Sequence, residues 1–396
     1  MPSPKRPGGG MRRGINSTAI LLTLLAAAFG YLFASRLGAF LAGRSGVTRH
    51  ITVMNTSATI IIPADSGSSL APARLAELAE QAMREIDALM SPVGETSDVK
   101  RLNSAQAETW VQVSPPTWTV VMEALRWHRL TGGAFDPTIG PMKSLFRFDQ
   151  SETDDWPSAS ALASARDRVG ADKLLFEREG MRLSFAKDGM KLDLGAIAKG
   201  YGVDRAVETL QANGVRNALV EIGGEVRSIG VNTNAKPPAS WAGGIENPRG
   251  AGHLALPDIG DKALATSGDA NQYFIHGGKR FKHIIDPRAG LPLGEGVASV
   301  TAIHPTSCMA ADALATAMTV LGRDEGRVFL ADQALGLFKD GIRVVMLLSG
   351  ADGGLRRVDF ALDNQGVMIE TESEPAFVVP KAAEEAPQEE VRQGAD

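Results

Sequence analysis

The sequence predicts a fold of the α+β class, preceded by a short basic and apolar segment. Strand-like and helix-like stretches follow one another without regular β-α-β alternation, which argues against a doubly wound parallel sheet. The chain has 396 residues, 44% of them hydrophobic, which is ample material for a large core. The sequence shows no internal repeat, which excludes solenoid and propeller architectures.

Composition excludes several classes of function. The formal net charge is -5, and no basic stripe with interleaved aromatic residues is present, so nucleic acid is not an expected partner. The only cysteine, Cys308, excludes an intrachain disulfide and a zinc site of several cysteines.

The N-terminal segment has the pattern of an export signal or membrane anchor. Basic residues, including Arg12 and Arg13, precede an apolar run, Ile15–Ala34, which is just long enough for a span of roughly 20 residues. Basic residues before the run predict a cytoplasmic N-terminus, with the rest of the chain exported across the membrane. Anchoring is favoured over cleavage near Ala39–Gly43.

The first half of the body alternates between strand and helix signals. Ile51–Pro63 is rich in Val, Ile and Thr and is predicted to be a strand. Pro72–Met90 carries apolar residues at helical spacing. An irregular connector is expected over Ser91–Asn103, then a short strand around Trp110–Val113. Proline at its start and helical spacing predict a helix over Pro115–Leu130.

The second half continues this mixture. The predicted helices are Ser158–Val169, a helix ending near Asn213, Cys308–Leu321 and Asp324–Ala334. The predicted strands are the hairpins Leu174–Phe185 and Asn217–Ile229, then Ala263–Thr266, Gln272–Ile275, Lys282–Ile285, Ala298–Ile303 and Val344–Leu348. A loop is expected at Lys236–Gly252. The predicted organisation is an anchor over residues 1–45, one domain over 46–370 and an acidic disordered tail over 371–396.

The stretch Lys191–Gly202, KLDLGAIAKGYG, is the most informative local pattern. It predicts a strand, a glycine turn and a helix with Lys199 in its first turn. The free N–H groups and positive dipole end of a helix start, with a lysine beside them, favour a phosphate or pyrophosphate. Asp193 is then expected to accept from a sugar hydroxyl or a ring N–H. The alternative is an ordinary capped helix with a surface lysine.

Two other loops carry candidate groups. Phe135 and Asp136 lie on the turn-rich loop Gly132–Pro141, where the ring can pack on a planar ligand and the carboxylate can accept a hydrogen bond. The alternative is that Asp136-Pro137 only starts a turn. His283 stands at the end of a predicted strand, a position suited to proton transfer, although a lone histidine is more often a packed or surface residue.

A candidate metal site lies on the helix that follows Cys308. Asp312 and Thr316 are four residues apart and so share one helical face. One carboxylate and one hydroxyl form a sparse oxygen set of the kind that suits Mg²⁺, and a carbonyl from the turn at Gly195-Ala196 can complete it. The alternative is a small-residue helix in which Thr316 bonds to its own backbone.

Taken together, these motifs resemble the ApbE family of FAD:protein FMN transferases. The collinear set is MNT at Met54, GGAFDPTIGP, KLDLGAIAKGYGVDRA, ATSGDANQYF, HIIDPRAGLP and SVTAIHPTSCMAADALATA. The resemblance runs from about Val53 to Gly322, with a weaker continuation to about Ile369. It implies an ApbE-type (T-fold-like) composite domain of mixed sheets and helices, with the FAD site between subdomains.

The resemblance also implies a reaction and its residues. Family members bind FAD with Mg²⁺ and transfer FMN to a threonine or serine hydroxyl of a partner, releasing AMP. The FAD contacts implied here are Met54, Ala134, Phe135, Asp136, Asp193, Lys199 and Ile285. The implied metal ligands are the Ala196 carbonyl, Asp312 and Thr316, and the implied base is His283. The implied acceptor is an exported flavoprotein or an FMN-binding domain of a membrane redox complex.

Two positions depart from the family pattern. Asn55 replaces the usual glycine after Met54, and Val93 stands about where the family carries an aromatic residue. Two other functions remain compatible with the sequence. One is a pyrophosphatase that gives FMN and AMP, and the other is an exported flavin carrier or assembly factor without turnover.

Overall fold

The chain is built on one large antiparallel sheet. The computed structural model describes residues 46–149, 151–256, 258–270, 272–333, 341–350, 353–362 and 367–379. The chain divides into Met1–Ser45 and Gly46–Asp396, and the structure below is that of the second unit. The predicted membrane anchor lies outside the described residues. Within the described ranges, no helix has the length and apolar character needed to cross a membrane.

The large sheet contains nine strands. In spatial order they are β1 (Val47–Val53), β2 (Thr56–Ile62), β6 (Ala218–Ile222), β7 (Glu225–Ile229), β12 (Ala263–Gly268), β17 (Val297–His304), β18 (Arg343–Ser349), β19 (Leu355–Leu362) and β20 (Met368–Ser373). Every neighbouring pair is antiparallel.

Short strands form smaller sheets around it. They are β3 (Val111–Gln112), β4 (Leu174–Glu177), β5 (Arg182–Phe185), β8 (Val231–Asn232), β9 (Ala239–Ser240), β10 (Gly243–Glu246), β11 (His253–Leu256), β13 (Tyr273–His276), β14 (Lys279–Lys282), β15 (Ile285–Asp286), β16 (Leu291–Pro292) and β21 (Phe377–Val378).

Seven α-helices occur in the described part of the chain. They are α1 (Pro72–Met90), α2 (Asp98–Asn103), α3 (Pro115–Leu130), α4 (Gly140–Lys143), α5 (Ala159–Asp167), α6 (Ala198–Ala212) and α7 (Cys308–Gln333). The apolar stripes of α1 and α6 pack on β1, β2 and β6, and α7 packs on β12 and β17. These contacts bring the start of α6 beside the first half of α7. The predicted α+β class is confirmed.

Several predicted elements differ in detail. The single strand expected at Ile51–Pro63 is wrong, because the chain turns at Met54 and Asn55, with φ of 51° and 59°, and Val53 pairs with Thr56. Asparagine tolerates this left-handed conformation better than most residues, so Asn55 can stand where the family has glycine. The sequence run is continuously strand-like and does not signal the turn.

Three other segments are more ordered than expected. The irregular connector contains α2, whose start is capped by the Ser97 side chain. The loop expected at Lys236–Gly252 contains β9 and β10. The two helices expected after Cys308 agree with the structure, because α7 consists of two helical segments that meet at a break at Gly322, where φ is 70°. Phe377–Val378, inside the expected disordered tail, pairs with β11, while residues 380–396 lie outside the described ranges.

Candidate active site

Three charged side chains meet at the start of α6, namely a partly exposed lysine and two buried acidic residues. Lys199 Nζ lies 2.5 Å from Glu225 Oε1 on β7, and Glu225 and Asp312 are each only 2% exposed. Burial lowers the pKa of Lys199, but the charges of Asp312 and Glu225 outweigh this and raise it, so the ammonium stays protonated. Burial, partly offset by Lys199, raises the pKa of Glu225 and the pKa of Asp312 above their ordinary values.

The first turn of α6 is capped by a side chain from α7. Gly200 is the third residue of the helix, so its N–H has no carbonyl partner within α6 and donates to Asp312 Oδ2 at 3.0 Å. No backbone hydrogen bond to the Ala196 carbonyl, just before the helix, occurs within the described ranges. A Cβ at Gly200 would lie 2.3 Å from the Cys308 carbonyl oxygen, which explains why glycine is required here.

A second carboxylate joins the same two helices in the opposite direction. Asp204 on α6 accepts hydrogen bonds from the N–H groups of Cys308 and Met309, at 2.9 and 3.0 Å, in the first turn of α7. Arg227 Nη1 donates to the same carboxylate at 2.8 Å. Each helix start is therefore held by a carboxylate of the other helix.

The hydroxyl of the predicted metal set lies one turn along α7 from Asp312. Thr316 Oγ1 is 2.8 Å from Ser267 Oγ on β12. This contact replaces the alternative in which Thr316 bonds to its own helix backbone. In the described part of the chain, no group of three or more His, Cys, Asp or Glu residues is arranged to hold a metal ion.

Asp193 is held in the turn before α6. Its Oδ1 accepts from Gly195 N–H at 2.9 Å, and its Oδ2 accepts from Lys143 Nζ at 2.9 Å. Burial raises the pKa of Asp193, but the nearby Lys143 ammonium outweighs burial and lowers it. Asp193 is therefore an ionised acceptor.

His283 follows directly after β14. Its backbone N–H donates to the Gln272 carbonyl at 3.1 Å, and its ring Nδ1 lies 3.2 Å from the same oxygen. Because a carbonyl only accepts, Nδ1 carries the proton and Nε2 has a free lone pair. Burial, and then the positive charges of Lys143 and Lys199, lower the pKa of His283 to about 4. The imidazole is therefore neutral near pH 7.

The loop of the GGAFD motif is buried and tied to its own surroundings. Ala134 and Phe135 are 1% and 3% exposed. The Asp136 carboxylate accepts from Thr138 N–H at 2.7 Å, from Thr138 Oγ1 at 2.6 Å and from Ala171 N–H at 3.2 Å. The Asp136 carboxylate therefore stabilises the conformation of the loop. A ligand at this loop would have to bond to a free lone pair of the carboxylate or to the loop backbone.

Met54 and Ile285 lie on separate packed surfaces. Met54 N–H donates to Asp87 Oδ2 at 3.0 Å, and its side chain lies over Gly202, where a Cβ would come within 3.0 Å of Met54 Cε. Ile285 is 5% exposed and belongs to a small apolar cluster with Met142. Val93, one of the two positions that depart from the family pattern, has an exposed side chain (80%).

The structure brings some of the predicted residues into one electrostatic group. The charge of Asp312 acts on Lys199, and Lys143, Lys199 and Asp193 all influence the pKa of His283. The remaining predicted residues have other contacts: Met54, Ala134, Phe135, Asp136, Ile285, Ala196 and Thr316. Sequence reasoning missed Glu225 and Lys143. Glu225 follows the Gly223-Gly224 turn at the first position of β7, and the sequence carries no signal that its side chain is buried.

The fold and this site define an α+β protein in which a lysine and two buried acidic side chains meet at a helix start. Sequence comparison gives the family: the ApbE family model matches residues 54–338. The chain therefore belongs to the ApbE family.

Relatives and solved structures agree with this assignment. The FAD:protein FMN transferase of Haemophilus influenzae is 37% identical over 269 residues, covering 66% of this chain and 77% of the relative. That of Vibrio cholerae is 39% identical over 252 residues, with 62% and 73% covered. The solved flavin transferase ApbE from Vibrio cholerae has a TM-score of 0.68 and 31% identity, covering 83% of this chain and 97% of that one. The ApbE protein of Thermotoga maritima gives 0.66 and 31%, with 78% and 96% covered.

Proposed function

We propose that this chain transfers FMN from FAD to a threonine or serine hydroxyl of a partner flavoprotein, with Mg²⁺ as cofactor and AMP as the released product. Relatives at 37–39% identity bear the name FAD:protein FMN transferase. The observation that carries the proposal is the buried group of Lys199, Glu225 and Asp312 beside a neutral His283. Phosphoryl transfer depends mainly on positioning and charge neutralisation, and these are the functions such a group performs.

The residues present fit a divalent cation. Two buried carboxylates face one ammonium, and Glu225 Oε2 is buried without a hydrogen-bond partner. Asp312, Thr316 and the Ala196 carbonyl offer the hard oxygen ligands that Mg²⁺ prefers. When bound there, Mg²⁺ would neutralise charge on the transferring phosphoryl group.

The start of α6 provides the phosphate site in this proposal. Lys199 keeps its proton because two carboxylates raise its pKa, so a full positive charge stands at the positive end of the helix dipole. Asp193, ionised and fixed by Lys143, provides an acceptor for a hydroxyl or ring N–H of the substrate. Met54, Ala134, Phe135, Asp136 and Ile285 remain proposed FAD contacts.

His283 provides the base. Its neutral Nε2 takes the proton of the acceptor hydroxyl as the hydroxyl oxygen forms a bond to the phosphorus of the FMN half. The bond between that phosphorus and the bridging oxygen breaks, and the electron pair leaves with AMP. Two negative phosphoryl groups beside Lys143 and Lys199 would offset the charges that lower the His283 pKa, making the bound enzyme's imidazole a stronger base.

We also propose that the enzyme acts on the exported side of a bacterial inner membrane, tethered by its N-terminal segment. The support is the basic stretch followed by the apolar run Ile15–Ala34. The acceptor would then be an exported flavoprotein or an exposed domain of a membrane redox complex.

The test incubates the full chain with FAD, Mg²⁺ and a purified candidate acceptor flavoprotein, then measures the acceptor's mass. An FMN-sized gain that disappears without Mg²⁺ supports transfer. Free FMN and AMP with an unmodified acceptor indicate a pyrophosphatase instead. Intact FAD after long incubation refutes both enzymatic functions and leaves a carrier.

Two variants assign the roles. His283→Gln should lower the rate by about 10²–10⁴-fold, whereas His50→Gln, an exposed histidine on β1, should not change it. Asp312→Asn should abolish the metal dependence, whereas Asp332→Asn, exposed on the same helix, should leave it intact. Equal turnover in Asp312→Asn and the unchanged chain would remove Asp312 from the metal site.

A further inference from the structure

A cavity of about 340 Å³ lies beside the middle of α7, and none of the residues placed in the candidate active site lines it. Its wall comes from the end of β14, the loop before β17, α7 and the β18–β19 strands. The side chains that define it are Lys282, Leu293, Val297, Thr319, Leu348 and Arg356. Its size is in the range of small-molecule sites.

Lys282 is the unusual member of this wall. It is 1% exposed, and Nζ donates to the Val297 carbonyl. Within the described ranges, Lys282 forms no ion pair with a carboxylate. The buried carboxylate in its neighbourhood, Asp269, is engaged by Arg249 through two bonds of 2.6 and 2.9 Å.

The charges around Lys282 also indicate that its ammonium group lacks some of its hydrogen-bond partners. Burial lowers the pKa of Lys282 to about 8, and the positive charges of Arg249 and Arg280 act in the same direction, against Asp269. A buried ammonium that meets one carbonyl leaves two of its three donors for other acceptors. Buried charges in proteins are normally paired, because an unpaired one carries a large desolvation cost.

We propose that this cavity binds a small oxyanion, a carboxylate or a tetrahedral oxyanion of the phosphate type, and that Lys282 is its counter-charge. Arg356, exposed and lining the same cavity, adds a second cation at the mouth, although it also bonds to Glu372 at 3.1 Å. Glu295 lines the rim with the opposite sign and so limits the affinity. The apolar remainder, Leu293, Val297 and Leu348, strengthens the interaction by excluding water.

The cavity is distinct from the FAD and metal residues. Lys282 and His283 are consecutive but take different partners, the Val297 carbonyl and the Gln272 carbonyl. The charged groups with the largest influence on the pKa of His283 are Lys143, Lys199 and Asp193. Anion binding can therefore be tested without FAD, metal or acceptor.

The experiment titrates the full chain with sulfate and with acetate by calorimetry, at constant ionic strength set with chloride. Sulfate keeps its charge across the pH range in which Lys282 titrates. We expect saturable binding of at least one anion, and the stronger one indicates whether the site prefers a tetrahedral or a planar group. Lys282→Met should weaken it at least about tenfold, the scale of one lost charge-assisted hydrogen bond. Lys279→Met, an exposed lysine of the same strand, should bind like the unchanged chain, and Glu295→Gln should bind more tightly.

Absence of saturable heat in the unchanged chain, or equal binding in Lys282→Met, would overturn the proposal. A second measurement covers the case in which Lys282→Met does not fold. In the unchanged chain, with lysine labelled at ¹³Cε, the midpoint of the Lys282 titration should rise when the preferred anion is added. An unchanged midpoint would likewise overturn the proposal.

Discussion

The protonation of His283 offers the sharpest test of the site's electrostatics. The ordinary pKa of 6.5 falls to about 4 here, with burial as the largest cause and Lys143 as the next. At pH 5.5, a group with a pKa of about 4 is about 97% neutral, whereas one with a pKa of 6.5 is only about 9% neutral. The free enzyme should therefore keep its base in the neutral, active form at pH 5.5, where an ordinary histidine would have a neutral fraction about tenfold lower.

The perturbation is Lys143→Met in the FAD-free protein. It removes a positive charge near the ring and leaves the Asp193 carboxylate uncompensated, and both changes favour the imidazolium. The pKa of His283 should rise. Lys191→Met, which removes an exposed lysine from the same segment as Asp193, is the matched control and should leave the pKa unchanged.

The assay follows the His283 ring proton by NMR between about pH 3 and pH 8, a range that covers both protonation states. The signal is assigned by its loss in His283→Gln. The acid limb of kcat/KM, which reports the free enzyme, should follow the same midpoint. A midpoint near 6.5 in the unchanged chain, or the same midpoint in Lys143→Met, would refute the reasoning.

Three stability predictions follow from buried contacts, each read from urea denaturation. Gly200→Ala should destabilise the fold by about 3 kcal/mol or more, because the new Cβ would lie 2.3 Å from the Cys308 carbonyl; wild-type stability would contradict the helix contact. Arg249→Met should lower the free energy of unfolding by about 3–5 kcal/mol, because Asp269 would stay buried and unpaired. No measurable decrease would mean that Asp269 is not buried in this ion pair. Asp136→Ala should cost about 2 kcal/mol or more, since its buried N–H donors lose their acceptor, and a smaller change would point to a role outside the loop.

Local pattern was enough to predict the main helices. Pro72–Met90 and Pro115–Leu130 were expected at the bounds observed, because apolar spacing and a proline at the helix start are properties of neighbouring residues. The turn at Met54 and Asn55 could not be predicted in this way. Its flanking residues alternate without interruption, and the turn is selected by pairing within the sheet.

The sequence motifs predicted which residues form the candidate site, but they did not predict which residues form ion pairs with one another. Lys199 was expected to meet a phosphate, yet its partner within the protein is Glu225, 26 residues further along. Asp193 is held by Lys143, 50 residues before it. Such contacts arise from the packing of helices on the sheet, which no local window contains. A single glutamate in a strand is typical of a solvated face, so only its burial marks Glu225 as part of the site.

Helices α6 and α7 each contribute a carboxylate that caps the start of the other helix, and this arrangement affects ligand binding. Asp312 completes the first turn of α6, and Asp204 completes the first turn of α7. Neither helix end can loosen without leaving buried N–H groups of the other helix unbonded. The backbone at the two helix starts is therefore already ordered in the folded chain. Binding then carries only a small further cost in backbone conformational entropy. These bonds fix the backbones that carry Lys199 and Asp312 against each other, so in the proposed function the pyrophosphate has to match a spacing that the two helices already hold.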